Sequence, residues 1–553
     1  MSPAPRPGSG AAATLIAVML AAAPHGAAAT DDDESTSQTN TGHANTSQAN
    51  TNQEAAAALA REIAKLQQEL ERQRAQLEVQ AQEIERLRQQ VEESQGTAAR
   101  AKVAAQDAPR VSVTNARPTI ASADGRASFS PRAVVQLDAA KHEQSSDGGA
   151  VLDFRRGSVG AANNRETNAA RDLSDGAYFR RARLGFEGSI ARDFSYRLML
   201  ELGGSGTEGP TRINDAWIAY SGFAPFTLQL GAFSPPANMD DGTGVESSLF
   251  IERATPAELS RALGGADGRI GLGVRGSGSR WMSSLTLTTR TAGDAEVFDS
   301  QLATVARVGW LAATAADYNL HTGLSGTWVL QPADQGSAIA GARYATRFRD
   351  RPELRVDSTR LIDTGSIDAD AAYAAGIEIG ANWKNWYLQA ENFWFGVERP
   401  HASALSDPVF GGYYVQGSWL ITGESRRYEA AAGAFQAPRP FVPATSSGGR
   451  GAWELALRYS HTDLDYREGV LSTAALVDSV RGGTQDILAL GVNWYLNANF
   501  KLAFNYLNVD VDRLNPAGPG NLAPFGPSPA TPPVGAEIGQ ELDIFALRSQ
   551  FSF

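Results

Sequence analysis

Residues 453–460, WELALRYS, read in twos. Trp453, Leu455, Leu457 and Tyr459 fall on one side; Glu454, Ala456, Arg458 and Ser460 fall on the other. Successive side chains of a strand point to opposite faces, so this is a strand with one apolar face and one small, polar or charged face. The same pattern runs outward in both directions. Phe194, Tyr196, Leu198 and Leu200 oppose Asp193, Ser195, Arg197 and Glu201. Phe500, Leu502, Phe504 and Tyr506 oppose Lys501, Ala503 and Asn505. Leu488, Leu490, Val492 and Trp494 oppose small and polar groups.

Two architectures alternate in this way: a soluble sandwich with a wet exterior, and a membrane barrel with a wet interior. Three features select the barrel. The strands run roughly 9–12 residues, a membrane-crossing length. Aromatic pairs cluster at strand ends, as in Trp386-Tyr387, Tyr413-Tyr414 and Trp494-Tyr495, where interfacial girdles belong. The chain closes on FALRSQFSF (545–553), with Phe545, Leu547, Phe551 and Phe553 on one face and Arg548, Gln550 and Ser552 on the other. Such a final strand resembles the assembly signal of bacterial outer-membrane proteins. Connections alternate in length, as barrel hairpins do. Short turns fall near 188–192, 222–225, 276–279, 384–385 and 497–499, and long links at 141–176, 236–267, 397–411, 462–484 and 510–540. The stretch 339–370 fits either one strand pair or a longer excursion. The fold expected is all-β: a transmembrane antiparallel barrel of about sixteen strands over 126–553, preceded by an α-helical coiled coil.

The N-terminal quarter is different in kind. Arg6, the apolar run 11–23 and Ala27-Ala28-Ala29 make 1–29 a secretory signal peptide, too short to span a bilayer. Residues 30–53 are a polar linker. Over 54–95, Ile63, Leu70, Leu77, Ile84 and Val91 recur every seven residues beside Leu59, Leu66, Gln73, Gln80 and Leu87. That spacing predicts a coiled coil, which in a barrel protein of this order lies in the periplasm. Residues 96–125 lack a period and read as a second linker.

Composition removes several classes of function. The 553 residues include no cysteine, which excludes disulfides, thiolate metal sites and a cysteine nucleophile. The formal charge of −12 argues against nucleic acid as a partner. His25, His43, His142, His321, His401 and His461 are scattered, so neither a metal site nor a catalytic nucleophile–base pair is indicated; no enzyme activity and no cofactor are expected. Arginine outnumbers lysine 44 to 5. About sixteen strands leave an aqueous lumen, and inward arginines there stay charged at any relevant pH and attract anions. Arg181 and Arg183 face inward on the second strand, Arg132 lies early in the first and Arg197 in the third. Arg180 has the wrong parity and needs a bulge or a place beyond the bilayer. The link 236–267 carries Glu252, Arg253 and Arg261 and is placed to fold inward as a constriction. Inward arginines also pair with carboxylates such as Glu187, Glu201 or Asp193, a purely structural use.

FRRARLGFEG (179–188), DAWIAY (215–220), LFIER (249–253), GGYYVQGSWLITGESRRY (411–428), GAWELALRYSHTDL (451–464) and LGVNWYLNANFKLAFNYLNV (490–509) together resemble the phosphate-selective porin O and P family. The resemblance implies a homotrimeric sixteen-stranded channel in outer-membrane lipid that conducts phosphate or polyphosphate through an arginine ladder and a lysine cluster. Arg180, Arg181 and Arg183 fall in the matching strand, and Arg253 and Arg261 follow from the LFIER match. The barrel departs from the pattern in having just three lysines, Lys141, Lys384 and Lys501. The expected function is passive, anion-selective diffusion, phosphate being the leading solute. The alternatives are a porin for sugars or other small organic solutes, for which inward Phe233 and Phe395 are the pointers, and an envelope tether whose coiled coil contacts the cell wall.

Overall fold

The computed structural model describes residues 48–145, 173–204, 212–293, 298–336, 342–445, 448–516, 534–535 and 537–553. The expected signal peptide (1–29) and most of the expected linker (30–53) lie outside these residues. The chain divides into two units, Met1–Arg100 and Ala101–Phe553. Helix α1 spans Gln48–Asp107, longer than the 54–95 expected. One glycine, Gly96, costs a helix only about 1 kcal/mol, and the alanine-rich sequence after it carries the helix on. The seam residues Leu59, Ile63, Leu66, Leu70, Leu77, Ile84, Leu87 and Val91 are all exposed on the single chain.

The stretch 96–125 is therefore not a linker throughout. After α1, Arg110–Thr114 and Arg117–Ala121 form a hairpin. Asn115 and Ala116 turn it in left-handed conformations, and Val111 and Val113 supply the alternation. Its second arm extends the barrel sheet by pairing Ile120 with Phe129.

Sixteen antiparallel strands follow: β1 (Ser128–Ser145), β2 (Gly176–Ile190), β3 (Phe194–Glu201), β4 (Arg212–Phe223), β5 (Phe226–Phe233), β6 (Arg269–Ser277), β7 (Trp281–Thr291), β8 (Leu302–Thr314), β9 (Tyr318–Gln331), β10 (Ala371–Trp383), β11 (Trp386–Glu398), β12 (Val409–Leu420), β13 (Ala452–Tyr466), β14 (Val480–Tyr495), β15 (Phe500–Asp512) and β16 (Gln540–Ser552). β16 pairs with β1 from Glu541↔Ser145 to Ser552↔Val134, which closes the sixteen strands into a barrel. Alternation sorts the faces as the sequence predicts. Leu455 and Leu457 are exposed outward, while Glu454, Arg458 and Ser460 are buried inward. Several strands run into the expected long links, β1 to Ser145, β13 to Tyr466 and β14 from Val480, because polar residues continue the ladder beyond the apolar band.

The stretch 339–370 is an excursion. It carries two minimal ladders, Ala345–Thr346 with Ile367–Asp368 and Arg349–Asp350 with Ile362–Asp363. The connection 421–451 has no counterpart among the expected long links. It lies at the short-turn end, yet its hairpin Arg427–Glu429/Ala434–Gln436 folds into the barrel. Arg307 on β8 holds it, donating to the carbonyls of Ala432 (2.8 Å) and Gly433 (2.7 Å). His321 on β9 meets the Tyr428 hydroxyl at 2.9 Å.

Candidate functional site

The link from β5 to β6 folds inward, as its position suggested. Its backbone polar groups cannot be left dry, and the barrel wall satisfies them. Asn505 accepts from Ile251 N (2.8 Å), Asn493 donates to Leu249 O (2.8 Å), and Lys501 donates to Ser248 O (2.6 Å). Glu391 accepts from Met239 N and Asp240 N (3.0 and 2.9 Å), where the short helix α2 (Met239–Gly242) begins. Leu249, Phe250, Ile251 and Leu259 pack with Phe393, Phe410, Ile487, Leu507 and Ile544 of the wall. Helix α3 (Thr255–Gly264) lies against β9–β13. The lumen is thereby divided. One side is an apolar packed core, and the side toward β1–β7 is polar and open.

Arginines occupy that open side. A cavity of about 480 Å³ toward the long-loop end is lined by Arg180, Arg181, Arg212, Arg253, Arg261, Arg349, Arg351, Arg355 and Arg360, with Glu258, Asp267 and Asp350 as the carboxylates. A second cavity of about 300 Å³ toward the short turns is lined by Arg132, Arg183, Arg197, Arg253 and Arg275, with Asp215, Asp241, Glu246 and Asp267. Arg253 and Asp267 line both, so they stand at the partition. Each of the seven arginines expected from sequence therefore borders one cavity or the other.

The parity problem at Arg180 is solved by a bulge. Arg181 pairs with Gln136 and Phe179 with Leu137, which leaves Arg180 as the extra residue and lets both guanidiniums turn inward. Glu252 takes Arg180 through two hydrogen bonds (2.7 and 3.2 Å) and Arg548 through a third (2.9 Å). Arg181 donates to Gln136 (2.7 Å) and is 3.9 Å from Glu252. Arg183 joins Glu201 and Asp267, each at 2.6 Å. Arg197 pairs with Glu187 (2.6 Å), and Arg132 reaches Glu187 (3.5 Å) and Glu246 (3.4 Å). Arg253 contacts Asp241 (3.1 Å); Arg261 contacts Asp241 (2.6 Å) and Asp267.

Burial alone would raise the Glu252 carboxyl, but Arg180, Arg181, Arg548 and Arg355 hold it well below the usual range. Burial is likewise overcome at Asp267 by Arg261, Arg183, Arg181 and Arg253. At Asp350 burial prevails: with help from the Glu258 charge it pushes this carboxyl up, against the pull of Arg355. Arg212, the arginines of 349–360 and Arg275 are not among the residues expected from sequence. The alternation of Arg347, Arg349 and Arg351 was the signal available for the 349–360 group. Phe395 lies in the packed core against Phe348 (5.4 Å), not along an open track.

A model of the phosphate-selective porin O and P family matches residues 156–521. A protein of Caulobacter vibrioides, described as uncharacterized, is 26% identical over 362 residues, covering 64% of this chain and 66% of its own length. Porin O of Pseudomonas aeruginosa is 23% identical over 366 residues, covering 62% of this chain and 78% of its own. Among solved structures, the anion-selective porin from Comamonas acidovorans aligns with TM-score 0.42 at 13% identity, over 77% of this chain and 100% of the other. OmpT of Vibrio cholerae in its trimer form aligns with TM-score 0.42 at 11% identity, over 77% and 99%.

Proposed function

The chain belongs to the phosphate-selective porin O and P family of outer-membrane porins, and from that premise we propose that it passes small anions by diffusion through the arginine-lined side of its lumen. The observation that carries this reading is the cavity toward the long-loop end, where nine arginines stand against Glu258, Asp267 and Asp350 in the lining and Glu252 and Asp241 paired with Arg180, Arg253 and Arg261. A narrow, low-dielectric passage strengthens the field of such an excess, which draws anions in and turns cations away. The pairing of Arg132, Arg183, Arg197 and Arg253 with carboxylates keeps the deeper charge from trapping the ion, so it can move to the next position.

Phosphate is the solute that fits best, because guanidinium groups offer paired donors to tetrahedral oxyanions. Arginine does this work alone. Lys141 pairs with Glu143, Lys501 holds the inward loop, and Lys384 sits in a turn. Competition in planar bilayers tests the solute: millimolar phosphate should reduce chloride current. Undiminished current would remove phosphate as the preferred ion.

The raised Asp350 carboxyl gives a pH dependence with a fixed sign. As pH falls from about 8 to about 5, Asp350 gains a proton while Glu252 and Asp267 stay ionised, so the cavity becomes more positive. Anion preference should rise over that window. Asp350→Asn should hold the acid-side preference throughout, and reversal potentials at three pH values would show it.

The exposed seam of α1 supports a periplasmic coiled coil; its Ile and Leu residues alone fit a dimer as well, and the trimer follows from the family resemblance. The cysteine-free chain allows a direct check: Leu70→Cys should link neighbouring subunits by disulfides under oxidation. Absence of linked chains would count against the oligomer.

A further inference from the structure

The outer wall carries a groove that the transport function does not use. It is a concavity of about 700 Å³ on the lipid-facing side of β10–β14. Its floor is Gly417, which pairs with Leu388 on β11 and Leu457 on β13. The missing side chain leaves a trough between those two exposed leucines. Toward the short-turn end it is bounded by Trp386 and Trp419, stacked at 5.5 Å and 12°.

Beyond the tryptophans stands Lys384, in the two-residue turn that pairs Trp383 with Trp386. Its φ is 53°, a conformation such turns give to Asn, Asp or Gly. A lysine here sits against local preference, in a chain with 5 lysines and 44 arginines. Its ammonium lies 5.2 Å from the Trp383 ring, which lines the groove. Four residues of strand, about 13 Å, separate this charge from the Leu388–Gly417 row. An apolar trough, an aromatic collar and a cation follow one another in the order of an amphiphile's tail, ester region and anionic head.

We infer that this groove binds an anionic glycerophospholipid of the leaflet around the short turns, with an acyl chain over Gly417 and the phosphate against Lys384. Interfacial tryptophans favour the ester region, and a basic residue beside them selects an anionic headgroup. The charge at the mouth argues for lipid over a second copy of the chain, whose apolar wall would leave Lys384 without an anion.

Native mass spectrometry of the delipidated full-length protein tests this, with phosphatidylglycerol, phosphatidylethanolamine and lipid A supplied separately. The wild type should retain about one phosphatidylglycerol per chain, with an affinity about tenfold above phosphatidylethanolamine. Lys384→Asn, which suits the turn, should erase that preference. Gly417→Leu should weaken both phospholipids. Retained preference in Lys384→Asn, unchanged binding in Gly417→Leu, or equal uptake of lipid A would overturn the assignment. So would disulfide-linked subunits from Leu388→Cys, which would give the groove to a neighbouring copy.

Discussion

Arg181→Ala is expected to lower the anion-to-cation permeability ratio about tenfold. Among the paired guanidiniums of β2, this one is neutralised least. Its nearest carboxylate, Glu252, is 3.9 Å away and already engaged by Arg180 and Arg548. Its Nε has no hydrogen-bond partner among the described residues. A unit charge about 8 Å from an ion, at an effective dielectric constant of about 20, is worth about 2 kcal/mol, or roughly thirtyfold. Nearby carboxylates and mobile ions reduce this to the stated tenfold. Arg183→Ala should act differently. It strips partners from Glu201 and Asp267 at once, so loss of folded barrel should accompany any change of selectivity. An Arg181→Ala channel with unchanged bi-ionic potentials would mean that ions pass by another route.

Arg426→Met carries the largest expected cost to stability. Arg426 and Glu454 are fully buried side by side, joined by two hydrogen bonds of 2.8 and 3.0 Å. Arg426 also donates to Ser247 O (2.9 Å) and to the Tyr495 hydroxyl (3.2 Å), so it ties the 421–451 segment to the inward loop and to β14. Removing it leaves the Glu454 charge with neutral partners only, Ser418, Tyr495 and Asn493. Breaking a buried pair in this way costs about 3–5 kcal/mol. The unfolding midpoint should drop by on the order of 5 °C. Conductance should rise as the segment loosens from the lumen. The double variant Arg426→Met/Glu454→Leu should regain part of the lost stability, because it removes the stranded charge. Heat-modified mobility in electrophoresis reads the midpoint. A single variant that melts with the wild type would place the segment's attachment elsewhere.

The barrel was legible because it is built from local alternation. Trp453–Ser460 declares which side chains face lipid with no knowledge of any neighbour, and sixteen such segments close on one another. The arginines of β2 were legible for the same reason, down to the parity conflict at Arg180 that the bulge resolves. The 421–451 segment was not. Its strands are three residues each, and the groups that draw it inward, Arg307, His321 and Asn382, lie on β8–β10 and meet it only after the sheet has closed. The division of the lumen was equally hidden. Leu249, Phe250 and Ile251 read as a family motif, but their packing against Phe393 and Ile487 belongs to tertiary structure. The hairpin 110–121 was missed because two five-residue arms give too short an alternation to stand out from a linker.

The reversal potential of the wild-type channel under a tenfold potassium chloride gradient measures the central proposal most directly. The excess of guanidinium over carboxylate predicts a potential close to the chloride equilibrium value. A potential near zero, or one of the sign set by potassium, would contradict it.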